Sequence, residues 1–117
     1  MRLAVIFAAM VLATQGSADF AETTKAVASK TGDTWRIDVT LLHPDTGWDH
    51  YADGWEVLDA DGNRLGYRKL HHPHVNEQPF TRSLTGISIP AGTTRVFVRG
   101  HCNVHGWHDE TVPVDLR

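Results

Sequence analysis

Between Thr34 and Leu42 the chain alternates without a break, with Trp35, Ile37, Val39 and Leu41 separated by Arg36, Asp38 and Thr40. A period of two sends the apolar set to one face of an extended strand and the polar set to the other. An amphipathic helix would repeat its apolar stripe every 3.6 residues instead. Related segments follow between turn signals at Lys30–Asp33, Asp59–Asn63 and Pro90–Thr93. Gly54–Asp59 aligns Trp55 with Val57, and Arg64–Leu70 aligns Leu65 with Tyr67. The Asp61-Gly62 pair between them is a hairpin signal, so these two strands should pair. In Phe80–Ile89 the parity of the apolar positions changes near Gly86, which predicts a bulge. Thr94–Gly100, with Val96 and Val98, and Glu110–Leu116, with Val112, Val114 and Leu116, extend the set. Ala21–Ser29 has few large apolar residues and reads as an edge strand. Seven strands and no helix predict an all-β chain folded as a single antiparallel β-sandwich.

With 117 residues there is material for one core of ordinary size. The first 18 residues are a basic start, an apolar run from Leu3 to Ala13 and small residues at Gly16 and Ala18, the pattern of a secretory signal cut after Ala18. That run is shorter than the ~20 residues a spanning helix needs. The expected mature domain is 19–117, periplasmic or secreted and free of the membrane after cleavage. A net charge of -3 supplies no basic field for nucleic acid. The single cysteine, Cys102, has no partner within the chain for a disulfide. The spacing of strands resembles immunoglobulin-like and fibronectin-III-like sandwiches, although the hallmark cysteine pair of immunoglobulin domains is absent.

Eight histidines are the compositional anomaly, roughly three to four times the usual share. In a meander of antiparallel strands, alternate connections share an end. The tight turns fall at one end and hold no histidine. The long connections 43–53, 71–79 and 101–109 fall at the other and hold all eight. Loops gathered at one end of a rigid sandwich are where such folds place binding sites, and a transition metal needs three or four nitrogen donors. The expected ligand pool is His43, His50, His72, His74 and His105. His43 sits at the end of the clearest strand, and proline stiffens the His72-Pro73-His74 segment, which directs both rings to one side if extended. Asp49 and Glu77 are expected as acceptors that fix a ring tautomer or as alternative ligands, with His101, Cys102 and His108 as further alternatives. Trp48, Trp55 and Trp107 either line the site or cap the core.

His101-Cys102-Asn103-Val104-His105-Gly106-Trp107-His108 contains Cys-x-x-His-x-x-His. It resembles the Cys-x-x-His-x-x-Met ligand loop of amicyanin-type cupredoxins. That resemblance implies Cys102 and His105 as thiolate and imidazole ligands to copper, with His108 in place of the axial methionine. Taken alone, Cys102 reads rather as a small buried hydrophobe ending a strand. No third group orients a Cys-His nucleophile, and catalytic function is not expected.

The expected function is therefore metal binding, with copper ahead of zinc because copper heads the affinity order for nitrogen sites. Transport, buffering or delivery, with another periplasmic protein as partner, would follow. The competing expectations are a metal-free interaction module with an aromatic loop surface and an electron-transfer protein using Cys102.

Overall fold

A computed structural model describes residues 19–116, and the expected signal segment 1–18 lies outside the described residues. Eight strands follow in order: β1 Glu22–Thr31, β2 Thr34–Leu42, β3 Ala52–Leu58, β4 Arg64–Lys69, β5 Phe80–Ile87, β6 Arg95–Cys102, β7 Gly106–Trp107 and β8 Val112–Asp115. They form two antiparallel sheets. One has the order β1-β2-β5, and the other β4-β3-β6, with β7 and β8 both pairing with β6. No helix among the described residues is long and apolar enough to cross a membrane.

The alternation of β2 is realised side chain by side chain. Ile37, Val39 and Leu41 are fully buried, and Trp35 nearly so. They face Trp55, Val57, Val96, Val98 and Val114 of the second sheet in one continuous core. The bulge expected near Gly86 is present: Trp35 pairs with Ile87 but Ile37 with Leu84, and Gly86 takes a φ of +71°. β1 is an edge strand, as its weak apolar content indicates.

Two expectations are corrected. Tyr67 does not share the inward face with Leu65. The β3–β4 pairing shifts register between Val57 and Leu58, so Gly66 opposes Val57 while Tyr67 is 40% exposed. A bulge inverts every side chain beyond it. Gly66 lies so close to Leu84 that a Cβ there would approach Leu84 Cδ2 to 2.8 Å, so the two sheets meet closely where a side chain is missing. The second correction concerns the connection 101–109, expected as a loop, which also holds the two-residue strand β7. β8 pairs with residues 95–98 and β7 with 101 and 102.

The two ends of the sandwich differ as the alternation of direction requires. Residues 59–61 and 90–94 meet around one cavity of about 460 Å³ at the end without histidines. The long connections collect at the opposite end. The core sets a testable contrast: Ile37→Ala should lower unfolding stability by about 2–5 kcal/mol, whereas Val27→Ala, on the 48% exposed side of β1, should change it by less than about 0.5 kcal/mol. Chemical denaturation of both variants measures the difference.

Candidate metal centre

β2 ends at Leu42 and delivers His43 directly into the histidine-bearing end, where it is 1% exposed. Its ring is oriented by a carboxylate two residues on. Nδ1 lies 2.6 Å from Asp45 Oδ1, with both side chains fully buried. A carboxylate accepts, so Nδ1 carries the proton and the lone pair is left on Nε2. Asp45 does more than orient one ring. Its Oδ1 also accepts from the Ala52 N–H at 2.9 Å, and its Oδ2 accepts from the His74 N–H at 2.7 Å. One carboxylate thereby ties together the end of β2, the start of β3 and the loop before β5.

The β2–β3 connection reverses at Gly47, whose φ of +147° favours glycine, and the Thr46 N–H donates to the His50 carbonyl at 3.0 Å. This hairpin-like turn returns His50 to His43, with ring centroids 4.8 Å apart at 85°. β6 brings the third component. Cys102 is fully buried and paired with Gly106, and the positive φ of Gly106 closes the tight Asn103-Val104-His105 reversal. His105 reaches back so that its ring lies 5.1 Å from that of His50. Asn103 locks the two loops. It accepts from the Tyr51 N–H at 2.9 Å, donates to the Trp48 carbonyl at 3.1 Å, and its own N–H donates to the Tyr51 carbonyl at 3.1 Å.

Donor atoms of His43, His50 and Cys102 lie within 4.8 Å of one another, and so do those of Asp19, His50 and His105. Nε2 of His43 and Nε2 of His50 are buried without a hydrogen-bond partner. Unsatisfied buried nitrogens cost stability unless something else uses their lone pairs. A cation between two imidazoles and a thiolate would use them, so these residues fit a transition metal.

The remaining expected residues have other surroundings. His72 and His74 do lie side by side, 4.7 Å between centroids, but His74 stacks on Phe80 at 3.9 Å and neither joins the donor groups above. His101 faces the outer side of its sheet, with its Nδ1 on the Asp53 carboxylate and its ring edge-on to Trp107. His108 packs on Phe20 at 5.0 Å, and its Nδ1 accepts from the Glu110 N–H. His71 and Asp49 are exposed. Glu77 is held by Arg82 at 3.1 Å, which keeps its carboxyl below the usual range and leaves no histidine on it. Of the tryptophans, Trp55 is core, Trp48 is 65% exposed and Trp107 lies on the outer face beneath Arg64 and Arg99. Asp45 and Asp19 escaped the sequence reading. The His-x-Asp spacing at 43–45 was the available signal for the first.

No protein-family model matches the chain. An inferred lipoprotein of Halomicrobium mukohataei is 51% identical over 79 residues, which is 68% of this chain and 38% of that protein's length. Among solved structures, a hypothetical protein of Pyrococcus horikoshii aligns with a TM-score of 0.55 at 18% identity, covering 87% of this chain and 95% of that one. An oxidised superoxide reductase aligns with a TM-score of 0.50 at 13% identity, covering 82% and 90%. At these identities the likeness establishes a shared fold. It also corrects the expectation that the chain lacks catalytic function, because an enzyme is built on the same fold.

Two outcomes follow from the geometry. Asp45→Ala strands two backbone N–H groups and releases the His43 ring, so it should destabilise the metal-free protein by about 2–4 kcal/mol in denaturant titrations. His74, 6% exposed, has its pKa lowered by burial and then by Arg82. The folded state therefore disfavours the imidazolium. Stability is full above roughly pH 6.5, the unfolded value, and falls as the pH drops from there through the lower folded value. His74→Gln should flatten that part of the metal-free protein's stability profile, and an unchanged slope would discount His74 as its source.

Proposed function

We propose that this chain is an exported redox protein that holds one first-row transition-metal ion, copper or iron, through the imidazoles of His43, His50 and His105 and the thiolate of Cys102. It would pass single electrons to a small oxidant, with superoxide the first candidate. The observation that carries this reading is the convergence of two buried, unpartnered imidazole nitrogens on a buried cysteine. Three imidazoles and a thiolate suit copper and iron, and the local Cys-x-x-His likeness to cupredoxin ligand loops points the same way. Zinc would fit the same donors but supplies no redox couple. Export is supported by the signal pattern of residues 1–18 and by the name of the Halomicrobium relative. The name of the superoxide reductase that shares the fold supports the choice of oxidant.

A bound ion would supply a one-electron couple. The protein's part is to hold and tune it. The Asp45 carboxylate on His43 Nδ1 raises the basicity of the opposite nitrogen. Burial of His43 and Cys102 keeps water from one side of the site, while His105 lies exposed at the rim. Small oxidants therefore have access from the His105 side. Reduction of superoxide to hydrogen peroxide takes one electron and two protons, and a one-electron donor in solution must restore the reduced state. Copper carriage would use the same donors, and turnover separates it from redox function.

Loading with copper(II) or iron(III) should give an intense visible thiolate-to-metal band that Cys102→Ser abolishes. Reduced, loaded protein should form one hydrogen peroxide per superoxide consumed, without releasing dioxygen. A band without peroxide formation would favour carriage. A wild type that binds no tighter than a variant lacking His43, His50 and His105 would remove the metal reading altogether.

A further inference from the structure

The donors of the site divide into two sides that share His50. His43 and Cys102 are buried, whereas His105 and Asp19 are exposed. Asp19 precedes β1 and is distant in sequence from every other residue of the cluster, so its arrival there needs a cause. Two contacts provide it. Ala21 is fully buried and lies directly over Gly100, where an added Cβ would come within 2.7 Å of the Ala21 carbonyl oxygen and 2.8 Å of its Cβ. Only glycine lets the incoming backbone cross β6 at that level. Phe20 then packs its ring 5.0 Å from His108 and 6.4 Å from His105, on either side of the short β7. With residues 20 and 21 fixed on β6, the Asp19 side chain is directed to His105 and His50.

We infer that the Asp19 carboxylate is a further donor to the ion held by His50 and His105, closing the solvent side of the site and fastening the segment that leads into β1. This rests on the metal reading above. It adds an oxygen donor and a second negative charge beside the thiolate, and it makes ion binding and the order of residues 19–21 mutually dependent. Donor atoms of Asp19, His50 and His105 lie within 4.8 Å of one another, a spacing that one cation shared by an oxygen and two nitrogen donors would use.

Cobalt(II) and copper(II), added alone to the isolated protein, test the assignment. Asp19→Asn and Asp19→Ala are surface changes that should leave the fold intact. They should weaken cobalt binding by at least ~10-fold, the scale on which groups around a metal act, and shift the cobalt visible spectrum while the Cys102 charge-transfer band remains. In the wild type, metal should slow hydrogen exchange at the amides of residues 20–24, and in Asp19→Ala that slowing should be lost. Gly100→Ala, which displaces the incoming segment, should reproduce the weaker binding. Unchanged affinity, spectrum and exchange in both Asp19 variants would overturn the assignment and leave the His/Cys site standing. A wild type that binds neither ion would overturn both.

Discussion

The buried carboxylate of Asp45 is the constraint on which the histidine-bearing end depends. A charge removed from water is tolerated only when its lone pairs are satisfied, and Asp45 meets this condition with donors from three separate stretches: the His43 ring, the Ala52 N–H and the His74 N–H. The three donors come from the end of β2, the start of β3 and the loop before β5. Satisfying the charge therefore fixes the loop geometry. Gln78 completes the arrangement by accepting from the His43 N–H and donating to the His74 carbonyl, which binds the third loop to the first. The ring of His43 is thus fixed in place by the protein alone, and a ligand at its Nε2 would cost little conformational freedom.

The same frame explains why some histidines converge and others do not. His43, His50 and His105 are presented by a strand end and two tight reversals, each closed by backbone or asparagine hydrogen bonds. His74 is held just as firmly, but the Asp45 bond to its backbone turns its ring onto Phe80 and away from the others. His101 and Cys102 are neighbours on β6 and so point to opposite faces of the sheet. Only the cysteine can reach the interior. Its pairing with Gly106 places His105 in the short turn of a hairpin, and the Cys-x-x-His spacing returns that imidazole toward His50.

Much of the architecture was legible in the residues. Strict alternation in Thr34–Leu42 identifies a strand with its buried face, and the change of parity at Gly86 marks a bulge, because both are one-dimensional signals of a period-two structure. Alternation of strand direction likewise sorts the histidine loops to one end. The bulge that turns Tyr67 outward has no such signal, since Leu65, Gly66 and Tyr67 admit either register and the choice is made by the close approach of Gly66 to Leu84. Which imidazoles converge was equally beyond the sequence. That outcome depends on Asp45, a residue whose importance comes from three long-range hydrogen bonds rather than from its own surroundings in the chain.

Convergence of this kind has a cost that the fold must offset. Among the described residues four imidazole nitrogens, on His43, His50 and His74, are buried without partners, and the loops that hold them contribute few residues to the main core. The sandwich supplies the stability, through the fully buried faces of β2, β3 and β6, and can therefore carry an end arranged against its own folding preference. Unsatisfied polar groups in an otherwise well-packed domain call for a local explanation, and a ligand is one such explanation where they converge. Two of these nitrogens belong to His43 and His50, which group with Cys102, while the neighbouring His101, His108 and Glu77 each have a polar atom paired within the protein. His74 is buried with both ring nitrogens unpartnered yet lies outside the donor groups, so it is convergence on Cys102, rather than the lack of a partner alone, that sets His43 and His50 apart at this end of the molecule.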